Sequence, residues 1–168
     1  PLDPAVEVYR KGSVKNWFWG LMVNHSPDIQ AKMVLFWHNH FALQFLEIPD
    51  ARACYTYTKV LYTHALGNMK DLTRAITIDP AMLFYLNGRL NTKKAPDENY
   101  GRELQELFTM GKGPNSKYTE DDVKAAARVL TGWSINPLTN PFSTTFLNVN
   151  HDTTDKKFSA FYGNTVIK

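Results

Sequence analysis

The sequence predicts a mainly α fold, a compact domain of about seven helices with a small extended, β-like C-terminal portion. Three observations predict it. Of 168 residues, 43% are hydrophobic, 13% aromatic and 21% charged, which suits one globular domain with a sizeable core and excludes disordered and collagen-like chains. Helix start and stop residues recur from Ser13 to Gly132. Beyond Trp133 the pattern turns to alternation in Phe142, Thr144, Phe146 and Asn148, the mark of a strand or hairpin arm. The expected organisation is a helical core over 1–133 and an extended arm over 134–168 that continues into a missing region.

Ser13 is read as the cap of a first helix through about Asn24, rich in Val14, Trp17, Phe18, Leu21 and Met22. Ser26-Pro27-Asp28 then supplies a cap, a proline at the first helical position and a first-turn acid for a helix from Pro27 to about Ala42. Asp50 or Ala51 opens a third helix that Gly67 ends, and Asn68 caps a fourth through about Ile78. Asp79-Pro80 starts a short fifth through Leu86. Residues 87–97 are turn-rich and polar, a surface loop, and Asp97 caps a helix from Glu98 to Met110 that stops at Gly111. Thr119 to Asp122 reads as a capping-box variant with Tyr118 and Val123 as its hydrophobic staple; that helix runs to about Thr131 and ends at Gly132.

A net charge of +3, with Arg89, Lys93, Lys94 and Arg102 interleaved among Asp97, Glu98, Glu103 and Glu106, argues against a nucleic-acid partner. The one cysteine, Cys54, makes neither an internal disulfide nor a thiolate zinc site, so the redox compartment stays open. The longest apolar runs, Trp17 to Trp19 and Met33 to Trp37, fall far short of the roughly 20 residues of a bilayer span. The chain opens at Pro1 without an initiator Met or a basic-then-apolar leader and stops just after the strand-like Thr165, Val166 and Ile167, so it reads as a piece of something longer.

Helical wheels locate polar residues that are costly to bury. On the second helix Ile29, Met33, Phe36 and Trp37 share an arc with His40 in its middle, while His38 lies on the other side near Ala31 and Val34, which argues against a metal shared by both. On the third, His64 is centred among Ala53, Tyr57, Val60 and Leu61. On the helix from Glu98 to Met110, Glu103 falls on the arc of Tyr100, Leu104, Leu107, Phe108 and Met110, with Glu106 and Asn99 at its edge. A buried carboxylate is expensive unless paired, so Glu103 is expected to accept a hydrogen bond from His40 or His64, as a structural network or as the oriented base of a site. The plainer alternatives are satisfied core histidines and an ion pair of Glu103 with Arg74, Arg102 or Arg128. His151-Asp152, in a polar loop, suits metal binding or water activation, or simply a surface turn with Asx capping. Gly-x-Ser-x-Gly, His-Glu-x-x-His, Walker and Gly-x-Gly-x-x-Gly motifs are absent.

Several blocks, in order, resemble a bacterial family known as domain of unknown function 1800: Met33-Val-Leu-Phe-Trp-His-Asn-His-Phe41, His64-Ala-Leu-Gly-Asn68, Asp79-Pro-Ala-Met-Leu-Phe-Tyr-Leu86, Glu98-Asn-Tyr-Gly-Arg-Glu-Leu-Gln-Glu-Leu-Phe-Thr-Met-Gly111, Tyr118-Thr-Glu-Asp-Asp-Val123 and Ala127-Arg-Val-Leu-Thr-Gly-Trp133. His151-Asp152 with Lys156 also fits. The resemblance covers nearly the whole chain and implies longer relatives and, from the export signals many of them carry, a cell-envelope, periplasmic or extracellular location. It also names motif residues, His38, Asn39, His40, His64, Asn99, Arg102, Glu103, Glu106, His151 and Asp152, but no chemistry. Gly101 stands where the family tends to have Ala.

Two functions follow as expectations. The first is a metal-assisted, hydrolase-like enzyme with Glu103, His40, His64, His151 and Asp152 as catalytic candidates and Asn39, Asn99, Arg102 and Glu106 as binding candidates. Its candidate cofactor is a divalent metal on nitrogen and oxygen donors, with His38 as a further candidate ligand. The second is a non-catalytic scaffold or partner-binding module, docking on other envelope proteins or on the remainder of its own chain, in which the same residues form a polar core.

Overall fold

The computed structural model describes residues 3–24, 28–136, 138–139 and 143–168; Ser26, Pro27, Pro137, Pro141 and Phe142, which carried parts of the sequence reading, lie outside them. The described residues form a mainly helical chain with seven α-helices and two short two-stranded sheets. It divides into two compact units, residues 1–85 with 136–143, and residues 86–135 with 144–168.

The first unit holds α1 (Pro4–Asn24), α2 (Ile29–His40), α3 (Ala51–His64), α4 (Met69–Thr77) and α5 (Pro80–Tyr85), and α3 packs against all four others. Asp50 and Asn68 cap α3 and α4 as their sequence positions predict, each side chain accepting from the backbone N–H two residues on. Tyr57, Leu61, Ile76, Met82 and Phe41 are fully buried, and the Tyr57 hydroxyl donates to the Phe41 carbonyl.

In the first unit two expectations need correction. The first helix starts nine residues before Ser13, at Pro4, because Asp3 supplies an acceptor for the Ala5 N–H (2.9 Å) and proline suits the first helical position. Ser13 sits inside α1 with its hydroxyl donating back to Tyr9 O. On α2 the buried face is Ala31 and Val34, not the arc of Ile29 and Phe36, which are 61% and 53% exposed. Gln30, Lys32, His38, Asn39 and His40 fall on several sides of α2, so its apolar arc stood out little on the wheel.

Buried charge ties α1 to α3. Glu7 is 3% exposed; one oxygen takes the Arg10 guanidinium (2.6 Å) and the other accepts from Ala51 N (2.7 Å), an orphan donor at the start of α3. One turn on, Lys11 donates to Leu46 O (3.4 Å).

In the second unit α6 (Asn99–Glu103) runs into a π-helical segment, Leu104–Thr109, and α7 (Glu120–Val129) follows. Gln105 Nε2 donates to Gly101 O and Thr109 Oγ1 to Leu104 O, so side chains occupy carbonyls at the widened turn. The extra residue in that turn sets the later positions back, which corrects the expected apolar arc: Leu107 and Met110 face water while Gln105 is buried. Gly101 marks a close crossing, since a Cβ there would stand 3.1 Å from Ala127 N and 3.3 Å from Val123 O.

The Thr119/Asp122 capping box starts α7 as read from the sequence, and the buried Asp122 also accepts from Ser159 N (2.7 Å). Buried Asn91 donates to Ala127 O and accepts from Asp97 N, closing the other end. The strands β1 (Trp133–Asn136) and β2 (Ser143–Phe146) pair, as do antiparallel β3 (Lys156–Lys157) and β4 (Val166–Ile167), with Lys156 opposite Ile167. Lys156 is fully buried, and its Nζ has no hydrogen-bond partner among the described residues.

Two measurements test this architecture. Gly132 has φ +97°, and a Cβ there would lie 3.1 Å from His151 Cβ and from Leu147 O, so Gly132→Ala is expected to cost about 1–3 kcal/mol, read as a lower Tm. Asp79 caps α5 with Oδ1, while Oδ2 is buried without a partner among the described residues, and burial pushes its carboxyl up to about 7. Folding therefore favours the protonated acid, a stabilisation complete below the unfolded value near 4 and lost as pH rises to about 7. Asp79→Asn keeps the cap acceptor and is expected to flatten the fall in urea midpoint between pH 4 and 7.

Candidate functional site

In the second unit the residues read as closing a catalytic site are tied into structure. Asp152 Oδ2 accepts from Arg128 Nε (2.7 Å), and Oδ1 accepts from Thr154 N (2.8 Å) and Thr154 Oγ1 (2.6 Å), an Asx turn. The Arg128 guanidinium, followed by the Thr154 hydroxyl, holds this carboxyl well below the usual carboxylate range. Arg128 reaches on to Thr154 Oγ1 and Asp155 O, so one guanidinium from α7 fastens the whole 152–155 turn. His151 Nδ1 lies 2.8 Å from Thr131 O, which fixes the proton on Nδ1, and its ring packs 5.1 Å from Phe146. Imidazole and carboxylate thus face different partners.

Arg102 grips Glu120 bidentately (2.8 and 2.7 Å) and Glu98 at 3.1 Å, and Glu106 lies 3.6 Å away; these hydrogen bonds, Glu120's foremost, raise its pKa. Glu106 also meets Lys112 at 3.2 Å. Asn99 is exposed at the start of α6, its N–H held by Asp97. Glu103 is half-buried at the junction of α6 with the π-helical turn, and its Oε2 is sealed without a hydrogen-bond partner among the described residues.

In the first unit His40 is half-buried with its ring against Phe41 (4.7 Å) and Trp37 (5.7 Å), His64 is half-buried as the last residue of α3, and Asn39 is exposed. His40 and His64 belong to the first unit and Glu103 to the second, so the structure describes each within its own unit. Among the described residues, no three of His, Cys, Asp and Glu gather closely enough to hold a metal ion.

A further opening for a ligand lies elsewhere in the first unit. A cavity of about 510 Å³ opens between α1, α2, the turn Phe45–Glu47 and Thr58 of α3, with Phe18, Trp19, Val34, Leu43 and Phe45 among its walls. His38 is its imidazole, seated edge-on against Phe45 (5.7 Å) and Tyr57 (5.8 Å). Burial, with a smaller contribution from Lys15, pushes its pKa below the ordinary histidine value. Cys54, buried beneath the same turn, has its thiol pushed by burial up to about 12 and is inert.

A family model described as protein of unknown function (DUF1800) matches residues 7–167. The chain belongs to this DUF1800 family. No curated protein and no solved structure matches it. Within this DUF1800 chain the family-like blocks include working parts of the fold: Tyr118–Val123 carries the capping box of α7, and Ala127–Trp133 carries Arg128, Thr131 and Gly132, which hold the 147–155 segment.

Lys15, Trp19 and Phe45 were not singled out by sequence reasoning as lining a site. A signal was present in His38, which shares a helical face with Ala31 and Val34, the two buried residues of α2. The Arg128 clamp makes a measurable prediction. Because the Asp152 pKa is depressed, its contribution to stability is present above the unfolded value near 4 and is lost as pH falls below it. Arg128→Met is expected to cost about 1 kcal/mol at pH 7, discounted for exposure, and to shrink the loss of stability between pH 5 and 3 in denaturant melts.

Proposed function

We propose that this protein is a non-catalytic binding module whose first unit takes up a small, largely apolar molecule in the cavity between α1, α2 and α3. The observation that carries this reading is the cavity itself. Its volume of about 510 Å³ falls within the range of ligand pockets, and its walls are mainly aliphatic and aromatic with a few polar groups. The burial of Ala31 and Val34 supports it, because these residues turn the His38 face of α2 inward.

The hydrolase reading draws less support. Asp152 is taken by Arg128 and Thr154, His151 by Thr131, and Arg102 by Glu98 and Glu120, so these candidates spend their hydrogen bonds on the fold. The sealed oxygen of Glu103 is the feature that favours it.

Nile red, a neutral dye that brightens in apolar surroundings, tests the cavity. One saturable site per chain is expected, weakened about tenfold or more by Leu46→Trp, which places bulk at the exposed lip without disturbing the core. Absence of saturable binding, or indifference to Leu46→Trp with an unchanged Tm, would overturn the proposal.

A further inference from the structure

Resting on that reading, we infer that the cavity's ligand is a monocarboxylate: an apolar chain lying against Trp19 and Phe45, with its single negative head seated between the Lys15 ammonium and the His38 ring. The charge pattern of the walls carries this. Lys15 and His38 are the ionisable side chains lining the cavity, and no acid lines it. Lys15 has no ion-pair partner among the described residues, whereas Arg10 is paired with Glu7, Arg52 with Asp50, and Lys11 donates to the Leu46 carbonyl.

Lys15 and His38 line the same cavity, from α1 and α2 respectively. With its pKa held down, the imidazole is neutral at pH 7, so the site carries one positive charge and one further N–H donor. That combination matches one carboxylate. A cationic head meets Lys15 with like charge, a neutral head leaves Lys15 unmatched, and a dianion exceeds the charge available.

The remaining polar groups agree. The Thr58 hydroxyl is spent on Cys54 O at 2.9 Å, leaving Gln44 as the other polar side chain at the rim. Glu47, the acid of the neighbouring turn, is exposed and is not part of the wall. The ring contacts of His38 with Phe45 and Tyr57 restrict the imidazole at the cavity wall before the ligand arrives.

The experiment compares three probes of equal chain length, octanoate, 1-octanol and octyltrimethylammonium, in displacing Nile red from the whole chain. Octanoate is expected to displace the dye at about tenfold lower concentration than octanol, and the ammonium to be the weakest of the three. Lys15→Met is expected to remove the octanoate advantage while leaving octanol unchanged, and Lys15→Arg to retain it. Lys15 is exposed, so both variants are expected to fold as the parent does. Equal displacement by octanoate and octanol, or an advantage that survives in Lys15→Met, overturns the monocarboxylate while the cavity stands. Failure of Nile red itself to bind overturns both.

Discussion

A buried amide at the start of a helix must find an acceptor, and in the first unit the Ala51 N–H finds it in Glu7, on a different helix. That bond sets where α1 lies on α3. Glu7 and Lys11 are both buried polar residues on one face of α1, spaced four apart, and each is satisfied from across the unit. Four residues further along that line stands Lys15, and beside it Val14 and Phe18 form a wall of the cavity. The depth of the pocket and the position of its cation therefore depend on a carboxylate two turns away. Leaving the Ala51 amide unpaired would cost about 1–3 kcal/mol and release one wall.

The second unit solves a related problem with α7. Asp122 serves its own helix start and the Ser159 amide, Asn91 takes the Ala127 carbonyl and the Asp97 amide, and Thr131 receives the Asp152 amide. Each of these polar side chains links segments that have little apolar surface of their own to bury. Residues 144–168 contain strands of two to four residues and two short turns, and such pieces hold together only when their backbone groups are answered from outside. The His151-Asp152 pair belongs to this scheme.

How much of this was legible depended on distance along the chain. Caps act within three residues, so Asp50, Asn68 and the Thr119/Asp122 box stand in the sequence much as they do in the structure. Gly132 was legible for the same reason, being a local stop with positive φ. The inward face of α1 was not. Its Glu7 and Lys11 look like surface residues until the acceptors and donors that bury them, at Leu46 and Ala51, come alongside. The face of α2 failed for a different reason, since its polar residues, Gln30, Lys32, His38, Asn39 and His40, are scattered round the helix and give its apolar arc little contrast. The π-helical turn defeated a fixed period of 3.6: the sequence 98–110 reads as one regular helix, and the shift that exposes Leu107 and buries Gln105 comes from side chains taking the carbonyls of Gly101 and Leu104. Of the candidate site, the second-unit polar residues were legible as important, but the distant partners, Glu120 of Arg102, Arg128 of Asp152 and Thr131 of His151, were not, because each of these three lies at least eighteen positions away.

Lys156 and its neighbour carry a practical consequence. The two lysines of β3 are adjacent in sequence and identical in intrinsic reactivity, yet strand alternation seals the first and leaves the second in water. An amine-directed reagent meets Lys157 in every molecule but reaches Lys156 only in those whose second unit has opened. The ratio of the two labels, read from one peptide, is thus a built-in gauge of how often that unit breathes, with its own internal standard one residue away.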